Sequence, residues 1–245
     1  MSRIACIIEA RMRSSRLPGK VLMPILGRPM LSLMIERLLR ARTIDQIVVA
    51  TTDGVADDPI FQLANSQGVA CFRGSEEDVL DRVLKAARSV RADVIVETTG
   101  DCPLHDPAII DKVVADYRLG GADFVANMLE YTTPRGTDVR VFATSALAGI
   151  AAQSSDPADR EHVSLHFWEH PEKYRLRNVQ CELGNDASRF RLTVDTVEDL
   201  KLVRRVYEAL YPHNPLFTIM DVLEFLRSNP DLASINDGIS QKTVR

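Results

Sequence analysis

No excess of basic residues marks this 245-residue chain: 30 Lys and Arg stand against 34 Asp and Glu, for a formal net charge of −4. A global cationic surface for nucleic acid or anionic lipid is thereby excluded, and any phosphate site must be local. Long apolar runs are missing as well. The stretches Ile4–Ile8 and Val94–Val96 fall far short of the roughly 20 residues that span a bilayer, so no membrane partner is expected. The opening Met-Ser-Arg has neither the apolar region nor the cleavage site of a secretory signal, which predicts a cytoplasmic protein. Cys6, Cys71, Cys102 and Cys181 include no C-x-x-C pair, which argues against a disulfide framework or a structural zinc and suits a reducing compartment.

What remains is an ordinary globular composition, 45% hydrophobic and 26% charged, with material for one sizeable core and no flexible linker or repeat. Through the first half, short β-like runs at Ile4–Ile8, Gln46–Thr51, Ala70–Phe72 and Val94–Thr98 alternate with helical stripes near Met30–Ala41, Pro59–Gln67, Glu77–Val90 and Pro107–Leu119. That alternation predicts an α/β protein with a mostly parallel sheet covered by helices, and ligands in such sheets bind beyond the carboxyl ends of the strands. From about Asn127 to Phe190 the pattern becomes mixed, with a strand at Val139–Phe142, helices at Thr144–Ala152 and Arg160–Glu169, and a strand at Leu176–Gln180. This reads as an insertion, at about 127–190, within a single domain spanning 1–245. A last strand, Arg191–Val194, precedes helices Val197–Leu210 and Thr218–Ser228.

The most informative segment is the loop after the first strand, Glu9-Ala10-Arg11-Met12-Arg13-Ser14-Ser15-Arg16-Leu17-Pro18-Gly19-Lys20. Three guanidiniums and an ammonium within ten residues suit a polyanion such as a triphosphate, because Arg grips phosphate oxygens bidentately and Lys supplies a point charge. A solvated charged turn is the bland alternative. Two familiar phosphate loops fail on spacing: a Walker A motif needs Gly at 14 and Ser or Thr at 21, where Ser14 and Val21 stand, and no G-x-G-x-x-G follows. Gly100-Asp101-Cys102-Pro103 after the fourth strand, and Thr193-Val194-Asp195-Thr196 after the last, each present a carboxylate at a strand end. Either Asp has a plain reading as a turn or cap residue, and Asp195 or Thr196 suits the N-cap of the helix from Val197.

Taken together, these segments resemble the cytidylyltransferase family that includes the CMP-sialate and 3-deoxy-manno-octulosonate cytidylyltransferases, and most of all its spore-coat polysaccharide biosynthesis protein F group. The resemblance rests on Ala10–Lys20, Arg73–Arg82, Gly100–Leu104, Pro134–Asp138, Arg160–Val163 and Leu192–Thr196, in order along the chain. It implies a nucleotide-diphospho-sugar transferase fold, Rossmann-like with a mixed, mostly parallel sheet, helices on both faces and a dimerising insertion. The implied reaction joins the CMP half of CTP to a sugar or sugar acid with release of pyrophosphate. By carry-over, Lys20, Arg11, Arg16 and Asp101 are the catalytic set. The nucleotide is held by Ala10, Arg11, Arg13, Ser14, Ser15, Arg16, Lys20, Gly74, Ser75, Arg82 and Gly100, and Mg²⁺ by Asp101 and Asp195. Arg135, Arg160 and His162 meet an anionic acceptor, and Phe167 with Trp168 offer an aromatic anchor for a homodimer. Two residues depart from the family pattern: Glu9 stands where Gln or Pro is usual, and Arg13 replaces a small residue. UTP or GTP in place of CTP, and a non-catalytic nucleotide binder, remain rivals. A metal-dependent glycosyltransferase is disfavoured, since no Asp-x-Asp occurs.

Overall fold

In a computed structural model, described for residues 2–241, the run Ile-Ala-Cys-Ile-Ile-Glu forms β1 (Ile4–Glu9) with its first five residues buried. A strand buried on both faces belongs at the centre of a sheet with helices on each side. Ile4, Cys6 and Ile8 pack into one apolar cluster and Ala5 and Ile7 into another on the opposite face, following the two-residue period of a strand. A short hairpin of β2 (Pro24–Ile25) and β3 (Arg28–Pro29) leads into α1 (Met30–Leu38). β4 (Gln46–Thr52), α2 (Asp58–Ser66), β5 (Ala70–Gly74), α3 (Val79–Ser89), β6 (Val94–Thr99) and α4 (Pro107–Arg118) then alternate as the sequence predicts.

Among the described residues the sheet has seven strands, in the order β5-β4-β1-β6-β8-β7-β9. β7 (Phe124–Ala126), β8 (Arg140–Ala143) and β9 (Leu176–Asn178) complete it. β8 runs antiparallel to β6 and β7, and every other pairing in the sheet is parallel. Because β4 lies on one side of β1 and β6 on the other, the chain reverses its winding at β1, and the loops leaving β1 and β6 diverge to open a crevice.

The segment at 127–190 is not a separate lobe, since β8 and β9 are strands of the main sheet. α5 (Thr144–Gln153) packs against α3. The expected single helix Arg160–Glu169 is two, α6 (Pro157–Glu161) and α7 (Leu165–Glu169), separated where His162 leaves helical geometry at φ −113° and ψ 86°. Phe167 of α7 is fully buried and stacks with Phe124 and Phe142 at centroid separations of 5.2 and 4.9 Å, so it fastens α7 to the sheet and is withdrawn from any subunit interface.

Among the described residues the expected strand Arg191–Val194 joins no named strand of the sheet, and Arg191 bridges Arg135. This extended stretch instead stitches loops together: Leu192 N–H donates to Arg135 at 2.7 Å and Val194 N–H to Asp101 at 2.8 Å. α8 (Val197–Leu210), α9 (Ile219–Ser228) and the single turn α10 (Pro230–Ala233) follow, and α8 and α9 bury their apolar stripes on the β1 face that also receives α1 and α4.

Candidate active site

The loop leaving β1 is held rigid before it does any chemistry. Asp57, 2% exposed, accepts from Met12 N–H at 2.7 Å and from the Thr51 hydroxyl at 3.1 Å, tying the loop to the end of β4. Gly19, at φ +72°, donates its N–H to Met12 at 2.8 Å and closes the loop. Only glycine adopts that backbone without strain. The chain then turns into a single 3₁₀ turn at Lys20–Leu22, which carries the Lys20 side chain inward.

Lys20 is the centre of the site. Its Nζ donates to Asp101 Oδ2 and to Asp195 Oδ1, both at 2.8 Å. Asp195 also meets Arg16 at 2.8 Å and Arg191 at 2.6 Å. Burial would raise the Asp101 carboxyl, yet Lys20 beside it holds it down to about 2. Burial likewise opposes the Lys20 charge, and the two carboxylates outweigh it and raise the ammonium. Asp101 and Lys20 are therefore both charged at neutral pH. Helix capping is left to Thr196 and Asp199, which form a reciprocal capping box, and this frees the Asp195 side chain for the cations.

Around this centre opens a cleft of about 890 Å³. The loop residues Ala10, Arg11, Arg13, Ser14, Ser15 and Arg16 line it, as do Lys20, Arg82 and Gly100. Arg11 is steadied by Glu161 at 2.8 Å, and the exposed Arg13 by Glu76 at 3.1 Å. Arg82 is 1% exposed and donates to the Ser75 carbonyl, which places Gly74 and Ser75 behind Arg82, outside the cleft lining. Gly100 donates to Glu9 O at 2.8 Å, and a Cβ there would stand 3.0 Å from that oxygen and 3.2 Å from Ala10 Cβ. The close approach of two backbones accounts for a glycine at this point.

Of the residues expected to meet the acceptor, Arg135 and His162 line the cleft. Arg135 lies over the Tyr131 ring, 4.2 Å from its centroid, and donates to its hydroxyl at 3.1 Å. His162 is lowered below the usual imidazole range by burial, with Arg140 and Arg11 adding to it against Glu161. Arg160 does not line the cleft. It donates to the carbonyls of Ala151 and Ser154, at 2.6 Å and 3.0 Å, and to Asp78 at 3.2 Å, so its guanidinium ties α5 and α6 to the start of α3. Trp168 also faces the cleft.

Sequence reading assigned no role to several charged residues that line the inner wall: Glu97, Asp138 and Arg140. Arg140 stands 3.5 Å from Glu97 and 3.8 Å from Asp138. Glu9, noted only as a departure, joins them, and its carboxyl is pushed up to about 8 by burial and by the charge of Glu97. A signal was available in the strand Val94-Ile95-Val96-Glu97-Thr98-Thr99, where a carboxylate interrupts an apolar run. Among the described residues no group of three or more His, Cys, Asp or Glu is arranged to hold a metal ion, so Asp101 and Asp195 stand as a pair. The thiol of Cys102, beside them, is pushed well up by burial and is no nucleophile.

A mixed α/β sheet with a basic loop and paired carboxylates at its switch point is the architecture of the nucleotidyltransferases. The chain belongs to the cytidylyltransferase family, whose model matches residues 5–219. It is 33% identical to the spore coat polysaccharide biosynthesis protein SpsF of Bacillus subtilis, covering 96% of this chain and 98% of that one. It is 30% identical to the 3-deoxy-manno-octulosonate cytidylyltransferase of Geobacter metallireducens over 66% of this chain and 69% of the relative. The structure of a cytidylyltransferase from Leptospira borgpetersenii superposes with a TM-score of 0.90 at 33% identity, covering 99% of this chain and 100% of that one.

Proposed function

We propose that this protein transfers CMP from CTP to a sugar or sugar-acid acceptor in the cytoplasm, releasing pyrophosphate, as a step in making a surface polysaccharide or glycoconjugate. The observation that carries the reading is the convergence of Lys20, Arg16, Asp101 and Asp195, from three distant segments, on one point of the cleft. The family and the named activities of its relatives support the nucleotide and the sugar acceptor. An acceptor oxygen attacks the α-phosphorus, the bond to the bridging oxygen breaks with its electron pair leaving on pyrophosphate, and the acceptor proton passes to solvent. Arg11, Arg16 and Lys20 hold the triphosphate and neutralise the charge that grows on the departing group.

Asp101 and Asp195 are the residues that would hold Mg²⁺, an ion that takes oxygen donors and commonly only one or two protein carboxylates. Their fit to a cation is visible in the Lys20 ammonium, which both carboxylates grasp. A bound Mg²⁺ would supply Lewis-acid stabilisation of the α-phosphate charge. Arg135 remains the cation available to an acid group of the acceptor, since Arg160 is committed elsewhere. A homodimer belongs to the same proposal, with Phe167 removed as its anchor.

The test is pyrophosphate release with CTP, UTP and GTP against a panel of sugar and sugar-acid acceptors. CTP is expected to exceed UTP by at least about tenfold in kcat/KM, since a site that hydrogen-bonds one base edge leaves groups unpaired with the other. Equal use of both nucleotides removes the cytidylyl assignment, and no release with any nucleotide removes the reaction.

A further inference from the structure

The inner wall of the cleft carries hydrogen-bond acceptors that the protein itself leaves unused. Strand register puts them together. β1 and β6 pair Ile7 with Glu97 and Glu9 with Thr99, so Glu9 and Glu97 project from the same face of adjacent strands. Across the antiparallel pair of β6 and β8, Glu97 sits opposite Arg140, and Asp138 lies 3.8 Å from that guanidinium. Glu97 is 4% exposed. It meets Arg140 through Oε1 at 3.5 Å, with the Ser164 hydroxyl nearby, while its Oε2 makes no hydrogen bond among the described residues. Glu9 Oε1 and Asp138 Oδ1 are likewise shut off from solvent and without a hydrogen bond among those residues. All three residues line the cleft.

The other charges facing this wall do not satisfy the three oxygens. Arg82 and Asp101 act on Glu9, and Arg135, which acts on Asp138, is stacked on Tyr131 and bonded to its hydroxyl. A carboxylate oxygen accepts hydrogen bonds and, when ionised, offers none. Leaving several such oxygens dry and unpaired is costly, and native structures supply a partner. All three residues line the cleft, so a ligand seated against this wall can supply the donor once the side chains turn towards it. Three carboxyl groups around one contacting guanidinium favour a donor that is itself positively charged, because charge-assisted hydrogen bonds are roughly twice as strong as neutral ones.

We propose that the acceptor is an amino sugar whose protonated amino group docks between Glu97 and Glu9, with hydroxyl groups beside it donating to Asp138. This rests on the nucleotidyl-transfer reading for the acceptor's place in the cleft, and its binding component is measurable without turnover. Glu9 then has a use as the residue that departs from the family pattern: in place of Gln or Pro it presents a second carboxyl group, which the acceptor's ammonium draws to its ionised form.

The experiment measures, by ligand-observed NMR titration of the full chain saturated with CMP, the affinities of glucosamine, its 3-, 4- and 6-amino isomers, and glucose. At least one amino isomer is expected to bind about tenfold more tightly than glucose, the scale of a charge-assisted bond. Glu97→Gln is expected to bring that isomer to within about twofold of glucose with CMP affinity unchanged, and Glu9→Gln, the gentler replacement, to reduce the preference in the same direction. Glucose binding as well as every amino isomer, no binding by any of them, or a preference that survives both substitutions overturns the inference. An amino preference in a protein that releases no pyrophosphate from CTP leaves this inference standing and removes the reaction. CMP transfer to neutral acceptors without amino preference does the reverse.

Discussion

Lys20 holds two carboxylates from two other segments on one ammonium, and removing any member leaves buried charge uncompensated. Asp101→Ala and Asp195→Ala are each expected to lower CMP transfer by about a hundredfold or more, the scale of losing one electrostatic stabiliser of a transition state. Circular dichroism checks that the fold persists, and near-native turnover at saturating Mg²⁺ in either variant takes that residue out of the reaction. A different residue, His105, presents a plain physical problem. It is fully buried, neither ring nitrogen makes a hydrogen bond among the described residues, and burial, with Arg140 and Arg37 adding to it, pushes the imidazole down to about 3. A histidine lowered on folding binds more protons in the unfolded chain, so wild-type stability falls as pH drops below the unfolded value of about 6.5 towards 3, by at most about 1.4 kcal/mol per pH unit. His105→Leu is expected to flatten that limb of a stability-versus-pH curve measured by urea unfolding. An unchanged acid slope means that the imidazole titrates normally.

At the scale of elements, the α/β alternation was legible because each strand of the first half is a short apolar run and each helix an apolar stripe; Val197–Leu210 lies where the pattern puts it. The extended stretch Arg191–Val194 misled because its residues look like a strand while Arg135 and Asp101, the groups that hold it, are far away in sequence. Gly136 belongs to the same stitch: at φ +96°, a Cβ there would fall on the backbone of Leu192 and Thr193. The helix Arg160–Glu169 was misread for a related reason. His162, Val163 and Ser164 have no residue that forbids helix, and the break comes from docking Phe167 into an aromatic cluster formed by distant strands. The loop cations and Asp101 stand out in the sequence because they follow the apolar runs of β1 and β6, and the structure gathers them in one cleft with Asp195. Glu97, Asp138 and Arg140 escaped because strand register, parallel between β1 and β6 and antiparallel between β6 and β8 and invisible in one sequence, is what gathers them with Glu9. The same docking accounts for Arg160, whose bonds to Ala151, Ser154 and Asp78 hold α5, α6 and the start of α3 together. Arg160→Met is expected to cost about 2 kcal/mol or more in stability by leaving those acceptors unpaired, lowering Tm by roughly 5 °C, with the KM for the sugar acceptor unmoved. A raised acceptor KM at unchanged Tm would return Arg160 to the acceptor site.

For the whole molecule, the cleft is the meeting place of segments nearly the length of the chain apart: the loop at residues 10–20, the turn at 100–102, the wall at 135–140 and the stretch at 191–195. The overall charge of −4 means that attraction for a triphosphate depends on this gathering and exists only in the folded state. A ligand that binds the folded chain and not the unfolded one stabilises it by about 2.7 kcal/mol at a concentration a hundred times Kd. For a protein of this size that amounts to a rise in Tm of roughly 5–10 °C. CTP with Mg²⁺ is expected to produce such a rise by differential scanning calorimetry, and CTP with chelator a smaller one, because the cations of the loop act without the metal while Asp101 and Asp195 oppose bare phosphate. Lys20→Met tests whether the gathering is responsible. It removes the point charge that spans two of the segments, so the variant is expected to unfold earlier in the absence of ligand and to gain little from CTP with or without Mg²⁺. A Lys20→Met protein that CTP and Mg²⁺ stabilise as fully as the wild type would show that the triphosphate is held elsewhere, by the Arg13 side of the loop rather than at the switch point of the sheet.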